Sequence, residues 1–175
     1  ACSSLESRST EILAITAPWD LIIVGDYGGR LIAAGEIDRG LKLLQRAAGD
    51  GGVRPSWHHF HLFLASYMTG DMAEATRQAA AMTSDTYSHG LLARALTAAA
   101  NGDWEKTRTT LDGLVGLRKA WRDSPRGELE KYISSPVIVD RLVRDLATAG
   151  LAAARVAASP SDVTTLPPGN GMPTM

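Results

Sequence analysis

The sequence predicts an all-α fold of antiparallel helical hairpins, stacked as a short solenoid and closed by a C-terminal capping helix pair. Three observations predict it. The strings "AGEIDRG", "TGDMAEA" and "NGDWEKT" recur with their glycines at Gly35, Gly70 and Gly102, intervals of 35 and 32 residues. Each glycine is followed by small or apolar residues at 3/4 spacing, one stripe per helix. Near the end, "SPRGELEKYI" and "SSPVIVDRLVRDLATAG" each place a serine before a proline, the signature of a helix start.

The elements follow in chain order. Residues 1–18 read as the second helix of a truncated preceding hairpin, with Leu5, Ile12, Leu13 and Ile15 as its apolar face and Pro18 at the joint. Residues 19–121 carry three hairpins. At each turn a glycine takes the left-handed conformation that ends the first helix, and the acidic residue after it sits at the positive start of the second. The second-helix stripes are Ile37, Leu41, Leu44 and Ala48, then Met72, Ala75, Ala79 and Met82, then Trp104, Thr107, Leu111 and Leu114. Five residues after each glycine stands Gly40, Ala75 or Thr107, small enough for two helices to approach closely. Residues 122–150 form the capping helices, the last with the stripe Ile138, Val139, Leu142, Leu146 and Ala149 and a closing Gly150. They are expected to cover the exposed end of the last hairpin. Residues 151–175 form an Ala/Pro-rich tail whose "TTLPPGNGMPTM" cannot be helical.

Composition narrows the function. With 45% apolar and 21% charged residues among 175, the chain reads as a globular domain. A net charge of −1 without a basic block excludes a general nucleic-acid binder. Cys2 is the only cysteine, which excludes an intrachain disulfide and a thiolate zinc cluster, and fits a reducing, cytoplasmic setting. No apolar run is long enough to insert in a membrane. The chain begins with Ala1 and shows no signal peptide, so it reads as a mature form or a piece of a longer protein. The half-hairpin at its start favours the piece.

A period near 34 residues built from helical hairpins resembles the tetratricopeptide repeat, over about Leu21 to Leu117. The resemblance implies a right-handed TPR-like solenoid. Gly28 and Ala95 match the family's small residue seven before the turn, but Phe63 does not, and Leu44, Ala79 and Leu111 replace its second-helix aromatic. The order "PSWHHFHLFLASYMTGDMAEA", "SHGLLARALTAAANGDWEKTRTTLDGL", "SSPVIVDRLVRDLATAGL" is similar to a narrower group. These are the C-terminal repeat regions of bacterial, mainly proteobacterial, signalling proteins of the class III adenylate cyclase or winged-helix transcriptional regulator type. Trp57, His58, Pro136, Gly150 and Leu151 carry that likeness, across about residues 19–151. It implies a regulatory or sensory region. The cyclase aspartates and the winged helix are not in this sequence.

"SWHHFHLF" raises the question of a metal, because it holds three of the four histidines. On a helix from about Ser56 to Met68, His58 and His61 share a face and His59 points about 100° away from His58. His59 stands where the repeat family buries a tryptophan and reads as a packed histidine with one hydrogen bond. His61 and His89 could approach, with Asp85 beside them. A zinc site needs three or four convergent ligands, and no HExxH-like motif is present. We therefore expect no metal, no cofactor and no catalytic residue. "VGDYGGR", with Gly25, Gly28 and Gly29 before Arg30, has no Lys-Ser/Thr and no preceding strand, so it reads as small residues where a neighbouring helix comes close.

The family's register instead places Trp57, Phe60, His61, Leu64 and Tyr67 along the concave groove, followed by His89, Leu92, Leu96 and Ala99. An exposed apolar stripe marks a binding surface. The expected function is a non-enzymatic interaction module that holds a protein or peptide segment in this groove. One candidate occupant is the chain's own tail, through Leu166, Pro167, Pro168 or Met172; another is a second copy. The rivals are an oligomerisation module and a metal-dependent enzyme using the histidine cluster.

Overall fold

The computed structural model describes residues 18–48 and 54–151, with the backbone alone for residues 18–20. The expected helix at residues 4–16 and the tail residues Leu166, Pro167, Pro168 and Met172 lie outside the described residues. Nine helices, and no strand, are present among those described: α1 (Pro18–Ala33), α2 (Ile37–Ala47), α3 (Ser56–Thr69), α4 (Met72–Ala81), α5 (Ser88–Ala100), α6 (Trp104–Leu117), α7 (Ala120–Asp123), α8 (Pro125–Glu130) and α9 (Pro136–Thr148). No described helix is long and apolar enough to cross a membrane.

The helices α1/α2, α3/α4 and α5/α6 pack as three hairpins. Their turns are built as the sequence requires. Gly35, Gly70 and Gly102 have φ of 94°, 86° and 75°. At Gly70 the strand of chain leaves in the left-handed conformation, and Asp71 N–H donates back to Ser66 O at 2.9 Å, closing the helix end. Asp71 and Asp103 then cap the second helices, accepting from Glu74 N–H at 3.0 Å and Lys106 N–H at 3.1 Å. Glu36 makes no such cap.

The small residues set how closely the helices cross. A Cβ on Gly28 would stand 2.9 Å from Gly40 O, so α1 and α2 touch backbone to backbone. Ala75 and Thr107, the equivalents of Gly40, are buried. "VGDYGGR" is accordingly helix, and its glycines receive neighbours. Gly25 lies beneath Trp57 and Gly29 beneath His61, where an added Cβ would come within 3.2 Å and 2.7 Å. The second-helix stripes are buried or half-buried except Trp104, which is 59% exposed.

The first helices α1, α3 and α5 contact one another in sequence and share a face. Ser134 and Ser135 N–H groups both donate to Ala33 O, at 3.1 and 2.9 Å, satisfying a carbonyl that the end of α1 leaves free. From there α9 passes the end of α3, where Arg141 Nη1 donates to Met68 O at 3.0 Å. It then reaches the end of α5, sharing a cavity with Leu96, Ala99 and Ala100. The helix therefore crosses the ends of α3 and α5. Its stripe explains why: Ile138, Val139, Leu142 and Leu146 are each at most 1% exposed and join the same core as Leu64, Leu92 and Leu96. A face this apolar is covered by the apolar helix within reach.

Candidate functional site

The crossing helix changes what the expected groove residues do. Leu64 and Leu92 have no exposed surface, Leu96 is 1% exposed and Tyr67 is 5% exposed. These four are core, not an open groove lining. Tyr67 and Leu96 stand beside α9, and Leu64 and Leu92 belong to the same core as its stripe, an outcome that periodicity alone does not encode. Tyr67 is also tied polar-to-polar. Its hydroxyl donates to Asp145 Oδ2 at 2.8 Å, and the Arg141 guanidinium stands 5.0 Å above its ring. Burial, and then the Asp145 hydrogen bond, push the Tyr67 hydroxyl pKa far up.

The other end of the same face stays open. Trp57, Phe60, His61 and His89 line a cleft of about 530 Å³ together with Asp26, Arg30, Ala33, Tyr87, Ser88, Lys131 and Tyr132. Thus four of the nine expected groove residues meet in one cavity, and four further aromatic or cationic groups, Arg30, Tyr87, Lys131 and Tyr132, complete it. Tyr132 and Lys131 come from the link after α8, where no groove position was expected. The signal available for them was the serine-proline start that anchors this link to α1.

The histidines diverge. His58 is the buried one, 3% exposed, and its Nε2–H donates to Leu44 O at 3.2 Å. His59 is half-buried and makes its one hydrogen bond to Gln78 Oε1, at 2.7 Å. His61 Nδ1–H donates to Trp57 O at 2.8 Å. Each ring is thus turned to a different partner, and Asp85 is drawn off to Arg94 at 2.6 Å. Among the described residues no group of three His, Cys, Asp or Glu side chains is placed to hold a metal ion.

His89 is different. It is 9% exposed, and its Nε2, like Nδ1 of His58, has no hydrogen-bond partner among the described residues. Three rings surround it: Tyr132 edge-on at 4.4 Å between centroids, Phe60 at 4.5 Å and Tyr87 at 5.2 Å. Burial, with a smaller push from His61, lowers its pKa to about 4, so the imidazole is neutral at pH 7. Burial also lowers the pKa of His61, against the opposing hydrogen bond to Trp57 O. Burial raises the Tyr87 hydroxyl to about 12. The walls are aromatic and uncharged; the charges stand at the rim. Arg30 Nε bonds Asp26 at 2.8 Å, and Lys131 pairs with Glu128, which Arg118 also holds at 2.7 Å.

A smaller cavity of about 260 Å³ lies between α3, α5, α6 and α9, beside the exposed Trp104. Its polar groups, Tyr67, Arg141 and Asp145, already satisfy one another. The larger cleft is the better candidate, because a recognition site needs polar groups with bonding capacity left over. No family model, curated protein or solved structure matches the chain.

Proposed function

We propose that this chain is a non-catalytic, TPR-like helical-repeat interaction module, serving as the regulatory or sensory part of a larger bacterial signalling protein. Its ligand enters the aromatic cleft. The observation that carries this reading is the contrast on the face shared by α1, α3 and α5. The chain's own α9 fills one end, and the other keeps an open cavity walled by Trp57, Phe60 and Tyr132 around the unpartnered His89. An extended segment laid along the whole face does not fit beside α9. A compact group does: one anchoring residue of a polypeptide partner, or a small molecule. Three hairpins in sequence, each with a left-handed turn glycine, support the solenoid.

The test is direct. The full chain is screened against a diverse set of small aromatic, aliphatic and charged fragments, with the histidine ring resonances as reporters. The reading expects hits that move His61 and His89 while leaving His59 unmoved, and that Tyr132→Ala abolishes. Hits that cluster elsewhere, or spread without preference, overturn it.

A second reading, oligomerisation, has one specific observation in its favour. Ile22, Ile23 and Tyr27 on α1 are 56%, 65% and 49% exposed. Light scattering across a concentration series tests it: a mass that stays monomeric to high concentration removes this reading.

A further inference from the structure

The first two residues of α5, Ser88 and His89, both line the cleft. Their backbone N–H groups have no acceptor among the described residues, and the N-cap residue Tyr87 supplies no side-chain oxygen. A 13-residue helix thus presents its positive end, with free donors, to an open cavity. His89, nine-tenths buried, also keeps one ring nitrogen, Nε2, without a partner among the described residues, enclosed with its ring by Phe60, Tyr87 and Tyr132. The rim adds charge. Arg30 and Lys131 oppose the single carboxylate of Asp26, leaving one positive charge in excess among the lining side chains. Both cations keep donors beyond those used on Asp26 and Glu128, since a guanidinium has five N–H groups and an ammonium three. The walls, by contrast, are Trp57, Phe60, Tyr87 and Tyr132, which favour a flat ring over an aliphatic chain.

We propose that the cleft binds a compact ligand that joins a planar aromatic ring to a carboxylate. The ring lies among Trp57, Phe60 and Tyr132, and the carboxylate meets the Ser88 and His89 N–H groups with Arg30 and Lys131 at the rim. A monoanion fits better than a phosphate dianion, because Asp26 stands on the same rim and only one positive charge is unmatched. The chemistry has two sources, a free aromatic acid or the C-terminal aromatic residue of a polypeptide. This inference rests on the binding role proposed for the cleft.

Calorimetry and histidine NMR on the full chain separate the possibilities. The probes are indole-3-acetate, indole-3-acetamide and tryptamine, which share a ring and differ in charge. A second pair is N-acetyl-Gly-Gly-Trp with a free or an amidated C-terminus. The acetate is expected to bind about tenfold more tightly than the amide, the margin of one charge-assisted hydrogen bond. Tryptamine is expected to bind most weakly. Tighter binding of the free-ended peptide than of indole-3-acetate assigns the ligand to a polypeptide end; the reverse order assigns it to a small molecule.

Ser88→Pro removes one backbone donor from a first-turn position that tolerates proline, and Tyr87 before it is already extended, with φ −101° and ψ 102°. This variant is expected to weaken the acetate by about fivefold and leave the amide unchanged. Equal binding of acetate, amide and amine, with His61 and His89 still perturbed, overturns the carboxylate inference and leaves the binding role standing. Probes that leave both histidines unmoved overturn both.

Discussion

The two ends of the face shared by α1, α3 and α5 began as the same kind of surface. Both are built from first helices of repeating hairpins, and both carry an apolar stripe. At the α9 end the stripe Ile138, Val139, Leu142 and Leu146 is buried and the polar groups are paired: Tyr67 with Asp145, Arg141 with Met68 O. At the cleft end Tyr132 remains 54% exposed, and His89 keeps an unused nitrogen. Folding drives surfaces toward the first condition. The difference separates a filled end from an open one within a single face, and it can be broken by experiments that load each end in turn.

The largest effect belongs to the filled end. Leu142 has no exposed surface and sits at the middle of the α9 stripe. Leu142→Ala leaves a cavity between α9 and the repeat helices and is expected to cost about 2–5 kcal/mol of unfolding free energy. Urea denaturation measures this. A cost below about 1 kcal/mol would show that α9 is a loosely held strap, and the covered groove would return as a binding surface.

Next comes pH. The folded chain holds His89 at about 4, through burial first and His61 second, while an unfolded histidine titrates near 6.5. Between those values the unfolded state binds the proton and the folded state does not. Stability is therefore fully present above the unfolded value and falls as pH drops toward about 4. The loss reaches at most about 3 kcal/mol, the free-energy equivalent of the shift. His58 and His61, also lowered by burial, act in the same direction. Around His89 stand His61, Tyr87, Tyr132, Lys131, Arg30 and Asp26, and only Asp26 would favour its charged form. Melting temperatures from pH 7.5 to 4 should fall, and His89→Asn should flatten the slope. An unchanged slope in the variant would place the pH dependence in His58 or elsewhere.

The turns give a smaller effect with a cleaner cause. Gly70 has φ 86° and nothing within 4 Å of an added Cβ, so Gly70→Ala adds backbone strain without a clash. It is expected to cost about 1–2 kcal/mol by thermal or urea unfolding. Gly29→Ala reverses the logic: its helical backbone tolerates a side chain, but the methyl would meet the His61 ring. The first substitution should lower stability and spare ligand binding; the second should move His61 and disturb the cleft.

The helices were legible in the sequence wherever a local cause fixes them. A glycine followed by an acid marks a turn because the two residues alone determine the left-handed exit and the next cap. Thus Gly35, Gly70 and Gly102 were readable, as was the α9 stripe. The cleft was legible in part. Trp57, Phe60, His61 and His89 follow from one helical face. Tyr132 and Lys131 reach the cleft through the Ser134 and Ser135 bonds to Ala33 O, a contact about a hundred residues apart that no periodicity encodes. For the same reason Leu64, Tyr67, Leu92 and Leu96 read as groove lining. Facing direction is a local property of a helix, but the partner a face meets is not.

The smallest expected change in stability is at the open end. Tyr132 is exposed enough that its removal leaves no cavity. Its main loss is the edge-on contact with His89 at 4.4 Å, worth about 1 kcal/mol or less at a half-solvated ring. Tyr132→Ala should therefore melt close to the parent chain, while Leu142→Ala does not. Yet Tyr132 forms a wall of the cleft, so the same variant should lose the fragment-induced shifts at His61 and His89. That pairing, a near-silent change in stability with a lost ligand response, is what a site carved from one end of a structural face requires. A Tyr132→Ala chain that unfolds as readily as Leu142→Ala would instead make Tyr132 part of the core, and the two ends would be one scaffold.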